Sequence, residues 1–169
     1  MRLALVLLSA LASISPAQAQ ERRPIGDSAE LAGCWKKIVF TEAARKLIPT
    51  DAKVGDPVHQ VLCFDPDGTT LRMVGSAEPM AFEMPKDYAA LARQPKAMSY
   101  EVSQTGLVVI GQDSTKTIQQ WAASFFPADA NFFGVKVPKD TLVMGLTDAA
   151  QPSKVVHWRY LTKIAPRAK

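Results

Sequence analysis

Short segments of alternating apolar and polar residues, joined by tight turns, make up most of the chain. The clearest turn is Asp65-Pro66-Asp67-Gly68, because proline presets φ at the second turn position and glycine adopts backbone conformations that other residues resist. It joins two predicted strands, 58–64 and 69–74. Side chains alternate between the two faces of a strand, so this pattern predicts an antiparallel sheet with an apolar face.

Further segments of the same kind bring the prediction to about eight strands. They cover residues 31–40, 98–103, 107–111, 116–121, 141–147 and 155–164. Two brief helices interrupt them: Thr41 is the predicted N-cap of the first (41–47), and Pro85 stands early in the second (85–93). The pattern predicts a mainly β domain, an antiparallel up-and-down barrel with two short helices, because closure removes the exposed sheet edges. An open β-sandwich is the alternative.

The first nineteen residues have the pattern of a secretory signal peptide. Arg2 supplies the positive charge, residues 3–14 are almost wholly apolar, and Ala17-Gln18-Ala19 provides the small residues that signal peptidase requires. The apolar run is shorter than the roughly 20 residues that a membrane span needs. We therefore predict a signal peptide over 1–19 and a single periplasmic or secreted domain over 20–169, with no transmembrane segment in the mature chain.

The two cysteines, Cys34 and Cys63, would meet an oxidising compartment after export. Two cysteines permit a single pairing, and we predict a structural disulfide. A metal-binding or redox pair is the alternative, but a redox pair more often has the spacing CxxC, and the histidines show no ligand spacing.

Charge and motifs argue against several functional classes. The formal net charge is +4 with scattered basic residues, whereas nucleic-acid binding favours a concentrated basic surface, so we expect no nucleic-acid partner. His59 and His157 occur without a Gly-x-Ser-x-Gly motif, so we identify no catalytic residue and favour a protein that is not an enzyme. An enzyme that acts on a lipophilic substrate inside the barrel is a third alternative. The turn at 65–68 lacks the further acids of an EF-hand, and the methionines are core fillers more often than Cu(I) ligands. We expect no metal and no cofactor.

Both ends of the predicted domain resemble bacterial exported lipocalin-like (calycin-type) domains. The residues that carry the resemblance are Gly33-Cys34-Trp35, Asp140-Thr141-Leu142-Val143 and His157-Trp158-Arg159-Tyr160. In that group an arginine near the C-terminus packs over the tryptophan of the first strand. The resemblance thus implies barrel closure by a cation–π contact between Trp35 and Arg159. The chain lacks the family's middle loop motif and long C-terminal helix, so the resemblance bears on fold more than on ligand.

A barrel of about eight strands is either packed solid or wide enough for one small ligand. If this barrel is hollow, apolar strand residues would line it. The candidate pocket residues are Phe40, Phe64, Met73, Tyr100, Leu142, Met144, Trp158 and Tyr160. The leading hypothesis is a non-enzymatic exported protein that binds a small hydrophobic molecule in the barrel.

The alternative hypothesis is an envelope protein-interaction module of the inhibitor or immunity type. It would bind a protein partner through the loops 76–96 and 124–139. Its aromatic anchors would be Phe125, Phe126, Phe132 and Phe133, since aromatic side chains dominate interface energetics. Burial of these phenylalanines would favour the ligand-binding hypothesis, and exposure would favour this one.

Overall fold

The structure is a computed structural model that describes residues 22–48, 50, 54–95, 98–112, 115–132 and 134–166. The predicted signal peptide, residues 1–19, lies outside the described residues. Over the described ranges, no helix is both long enough and apolar enough to cross a bilayer.

Strands dominate the described residues, in agreement with the alternating sequence pattern. In chain order they are β1 Arg23–Pro24, β2 Gly33–Lys37, β3 His59–Phe64, β4 Thr70–Ser76, β5 Met98–Gln104, β6 Leu107–Gln112, β7 Thr117–Phe125, β8 Ala130–Phe132, β9 Val135–Val137, β10 Leu142–Thr147 and β11 Val155–Lys163. The helices are α1 Ser28–Leu31, α2 Glu42–Arg45 and α3 Lys86–Ala92.

Eight of these strands form a closed antiparallel barrel, which confirms the predicted fold class and excludes the open sandwich. Around the barrel the order is β2-β3-β4-β5-β6-β7-β10-β11, and β11 pairs with β2 to complete the ring. The hairpin β8–β9 is inserted between β7 and β10 and forms its own small sheet. The β4–β5 seam is the shortest in paired residues, joining only Thr70 to Ser99 and Leu71 to Met98.

The short elements differ from the prediction more than the long strands do. Helix α1 was not predicted; Asp27 caps it by accepting hydrogen bonds from the backbone N–H groups of Ala29 and Glu30. Thr41 caps α2 as expected, because its hydroxyl accepts from the Ala44 N–H. The first predicted strand, 31–40, is a strand only over Gly33–Lys37. Elements this short carry too little periodicity for a pattern to detect.

Apolar side chains of alternate strand positions fill the barrel interior. The largest contributors come from opposite walls, with Trp35 and Phe64 on one side and Trp121 and Phe125 on the other. Ile25 and Leu31, from the segment before β2, join this cluster, and the Trp35 indole N–H donates to the Leu31 carbonyl over 2.7 Å. This packing gives the barrel a solid core where Trp35 lies.

Two apolar clusters lie on the outside of the barrel. The hairpin β8–β9 and helix α2 cover one, which contains Phe40, Phe126 and Tyr160. Helix α3 covers the other, where Leu91 packs on the Cys34–Cys63 disulfide. The predicted disulfide is confirmed: it joins directly opposite residues of β2 and β3.

Candidate functional site

A carboxylate surrounded by cations lies at the barrel end where β2 finishes and β3 begins. Asp56 Oδ2 accepts hydrogen bonds from Lys37 Nζ (2.9 Å) and Arg159 Nε (3.1 Å), and it lies 3.0 Å from His157 Nε2. Asp56 Oδ1 accepts from Arg159 Nη2 (2.7 Å) and Gln60 Nε2 (2.8 Å). We call these five residues the Asp56 cluster.

Strand alternation explains how the chain assembles this cluster. His157 and Arg159 are two positions apart in β11, so both project from the same face of the strand. Lys37 ends β2 and Gln60 lies near the start of β3, and antiparallel pairing brings these positions to one end of the barrel. Asp56 alone comes from a loop. The barrel wall therefore provides the donors, and the loop before β3 provides the acceptor.

The loop that carries Asp56 is packed closely onto the barrel. Val54 contacts the interior apolar cluster, and the Pro57 carbonyl accepts a hydrogen bond from Lys37 Nζ over 3.0 Å. Gly75 in β4 makes room for the Pro57 ring, because a Cβ atom at Gly75 would lie 2.2 Å from Pro57 Cγ. These contacts hold Asp56 against the wall from both sides.

Burial makes the electrostatics of the cluster strong. Only 4% of the Asp56 side chain, 2% of His157 and 7% of Arg159 is exposed to solvent. Burial raises the pKa of the Asp56 carboxyl group, but hydrogen bonds from His157 and Arg159 outweigh it and hold that pKa far below its usual value. The carboxylate is therefore ionised, and it faces two basic side chains, Lys37 and Arg159.

The surroundings of the cluster are partly aromatic and partly unsatisfied. The Arg159 guanidinium lies 4.3 Å from the centroid of the Trp121 ring, whose plane is nearly perpendicular to that of His157. Two buried atoms, Gln60 Oε1 and His157 Nδ1, have no hydrogen-bond partner among the described residues. Buried polar atoms normally have partners, so these two mark the cluster as an unusual site.

A pocket of about 130 Å³ opens beside the cluster. Its lining is mainly apolar and includes a few polar and charged side chains. The lining residues are Lys37, Ile38, Val39, Phe40, Arg45, Ile48, Thr50, Asp56, Val58, His157 and Trp158. A protein cavity of roughly 150 Å³ holds a benzene molecule, so this pocket can take one ring or a short chain. The pocket thus places apolar walls next to charged side chains.

The residues predicted to line one pocket divide among three environments. Phe64, Tyr100, Leu142 and Met144 lie in the packed interior cluster. Met73 is 40% exposed in β4, and its sulfur lies 2.7 Å from Gln60 Nε2.

Phe40, Trp158 and Tyr160 instead belong to the apolar cluster outside the barrel, and of these Phe40 and Trp158 line the pocket. The expectation of one shared lining is therefore corrected. The two aromatic residues of β11 alternate with His157 and Arg159, which occupy the inner face.

The expected contact between Trp35 and Arg159 is also corrected. Arg159, a member of the Asp56 cluster, packs over Trp121. The cation over Trp35 is Lys163, whose Nζ lies 5.2 Å from the ring centroid. Strand register is the reason: Lys163 is directly opposite Trp35, and Arg159 lies four positions further back along β11.

The predicted aromatic anchors of the alternative hypothesis are mostly packed inside the protein. Phe125 is 3% exposed and Phe126 is 5% exposed. Phe132 is half-buried in the outer cluster that includes Tyr160, and Phe133 lies outside the described residues. The buried side chains of Phe125 and Phe126 present no surface to a protein partner.

A second group of polar side chains anchors helix α3 to the barrel. Asp65 accepts hydrogen bonds from Arg72 Nε and from the Tyr88 hydroxyl, each over 3.0 Å. The predicted turn that follows is confirmed, since Asp67 Oδ1 accepts from the backbone N–H groups of Thr69 and Thr70. This Asp65 group lies on the outside of the barrel and serves as a structural counterpart to the Asp56 cluster.

Sequence reasoning missed the centre of the site. Asp56 lies in a loop between Gly55 and Pro57, where no periodicity marks a side chain as buried. The available signal was in β11, where His157 and Arg159 share a face. If that face lies inside the barrel, the buried charge of Arg159 needs an acidic partner nearby.

The geometry defines the class of protein: a small closed antiparallel barrel, consistent with a lipocalin-like fold, with a charged cluster and an apolar pocket at one end. Comparison of the chain with protein-family models, with curated proteins and with solved structures gives no match. Its function must therefore be argued from its own site.

Proposed function

We propose that the protein is a non-enzymatic, exported lipocalin-like binding protein for a small hydrophobic molecule, and that the molecule binds in the pocket beside the Asp56 cluster. The observation that carries this proposal is the pocket of about 130 Å³ with walls such as Phe40, Ile48 and Trp158. Binding sites for small molecules are typically concave and apolar with a few fixed polar groups. The pocket has both properties.

The binding site proposed here differs from the barrel centre that the sequence suggested. The side chains of Trp35, Phe64, Tyr100 and Trp121 already pack together in the interior. A ligand at the barrel end contacts walls that exist without rearranging this core. Exported character rests on the signal-peptide pattern of residues 1–19 and agrees with the Cys34–Cys63 disulfide.

The first test is a binding experiment on the disulfide-bonded protein with a panel of benzene-sized apolar probes. Trp158 lines the pocket, so we expect its fluorescence to change on binding and the change to disappear in Trp158→Phe. NMR shift changes should centre on Phe40, Val58 and Trp158. Failure of every probe, or shifts confined to another surface, would contradict the proposed function.

A matched pair of variants tests the location of binding. Val58→Phe puts a larger side chain into the pocket and should weaken probe binding at least about tenfold, because the ring occupies the space of the ligand. Ile118→Phe makes a similar enlargement on a side chain that is 72% exposed and outside the pocket lining. Equal effects of both substitutions would show that the probes bind elsewhere.

A further inference from the structure

The barrel wall contains a ready-made receptor for a carboxylate. The Arg159 side chain donates from Nε to one oxygen of Asp56 and from Nη2 to the other, which is the two-point geometry by which arginine recognises a carboxylate. Lys37 and Gln60 donate from two other strands. Every one of these donors belongs to β2, β3 or β11, whereas the carboxylate arrives on a loop.

The receptor has more positive charge than Asp56 neutralises. Lys37 and Arg159 place two basic side chains against one carboxylate, and Arg45 adds a third to the pocket lining. His157 also faces the carboxylate, and its second nitrogen has no partner among the described residues. An anionic group is therefore the ligand chemistry that this end of the barrel favours.

The pocket and the receptor are continuous. Lys37, Asp56 and His157 belong both to the pocket lining and to the Asp56 cluster. A molecule whose apolar part contacts Phe40 and Trp158 would therefore have its polar end at the Asp56 carboxylate.

We propose that Asp56 is an internal substitute for the carboxylate of an amphipathic ligand, which displaces the loop and takes over the hydrogen bonds from Arg159 and Lys37. This inference rests on the proposed function and specifies its ligand class: a small carboxylate with an apolar body of ring or short-chain size. In the exchange one carboxylate replaces another in the receptor, and Asp56 moves to water.

Tethering makes Asp56 a strong competitor. A group held on the same chain has a high effective concentration, so an external carboxylate must overcome it before binding. Only molecules in which the loop is displaced can bind the external carboxylate. Because they are a small fraction of the total, the apparent affinity is lower than the intrinsic affinity of the site. Removing the Asp56 carboxylate should therefore increase the affinity for carboxylates by a larger factor than the affinity for neutral ligands.

The experiment compares phenylacetate with phenylacetamide, which match in size and differ in charge. Both are titrated into the wild-type protein, Asp56→Ala and Asp56→Asn, with dissociation constants measured by calorimetry. We expect phenylacetate to bind Asp56→Ala at least about tenfold more tightly than wild type, and we expect this gain to exceed any change in the affinity for phenylacetamide. Asp56→Asn keeps the shape of the side chain and should show the same direction, which covers the case in which Asp56→Ala does not fold.

Asp65→Asn is the matched control, because Asp65 is also a buried carboxylate paired with an arginine, Arg72, but lies on the outside of the barrel. It should leave the affinity for both probes unchanged. A further readout is thermal stability: acetate should raise the melting temperature of Asp56→Ala more than chloride at equal ionic strength.

The outcomes separate the two proposals. If phenylacetamide binds in the pocket but phenylacetate gains nothing in either Asp56 variant, the inference is overturned and the proposed function stands. If Asp65→Asn gains as much as the Asp56 variants, the gain reflects general loosening and the inference is likewise overturned. If neither probe binds any variant, and the apolar panel also fails, the proposed function itself is wrong.

Discussion

Asp56 shows how much one loop residue can determine in a small barrel. Its two oxygens connect Lys37 in β2, Gln60 in β3 and Arg159 in β11, and so join three neighbouring strands at one end. Buried ion pairs contribute little net stability compared with apolar packing, but an unpaired buried charge is costly. The energetic role of Asp56 is thus to compensate the cations that surround it.

Substitution of Asp56 by alanine should lower the free energy of unfolding by about 3 to 5 kcal/mol, because Arg159 and Lys37 are then left buried without their carboxylate. Urea denaturation of the wild type and the variant measures this loss. Asp56→Ala combined with Arg159→Met should lose less than the sum of the two single substitutions, since removing both partners removes the unpaired charge. Additive losses in this cycle would show that the two side chains do not interact.

At the scale of elements, the last strand illustrates what could be predicted from sequence and what could not. The alternation in β11 identified that strand, and the turn at Asp65–Gly68 identified the β3–β4 hairpin. The alternation did not say which face is inside, because Trp158 and Tyr160 on one face look more like core residues than His157 and Arg159 on the other.

A one-residue error in facing exchanges the two sides of a strand. In this barrel the outer face of β11 is also covered, by the cluster under the β8–β9 hairpin, so aromatic residues are buried there too. The inner face accepts charge only because Asp56 arrives from a loop. Neither the covering β8–β9 hairpin nor the loop that carries Asp56 has a periodic pattern of apolar residues in the sequence. The fold class was therefore predictable, and the site was not.

The disulfide between β2 and β3 should stabilise the barrel strongly. It closes a loop with a sequence separation of 29 residues, for which chain entropy predicts about 3 to 4 kcal/mol. The pair Cys34→Ala and Cys63→Ala should lower the free energy of unfolding by that amount in urea denaturation. Reducing agent should destabilise the wild type similarly and leave the double variant unaffected; an effect on the variant would mean that the reagent acts elsewhere.

At the scale of the whole molecule, the acidic groups determine how stability responds to pH. The Asp67 pKa is lowered to about 2 by hydrogen bonds from the backbone of Thr69 and Thr70, and the Asp56 pKa is lowered as well. A lowered pKa means that the folded protein binds fewer protons than the unfolded chain in acid. The stability from these carboxylates is therefore present above the usual aspartate pKa of 3.8 and is lost as the pH falls.

We expect the free energy of unfolding to decrease steadily as the pH is lowered from about 4 toward 2, because the unfolded chain takes up protons there first. Urea denaturation across this range measures the decrease. Asp67→Asn should flatten the dependence, since the amide does not titrate. A wild-type stability that is constant over this range would contradict the pKa shifts of both aspartates.

The closed ring also has a consequence for the order in which the contacts of the domain form. Strands β2 and β3 are neighbours in sequence, so their hairpin and its disulfide can form before the later strands have joined the sheet. Asp56 can meet Lys37, 19 positions away, at this early stage, but Arg159 lies 103 positions further along and comes last. The complete Asp56 cluster exists only after the two ends of the domain have met. It therefore distinguishes a finished barrel from every incomplete one.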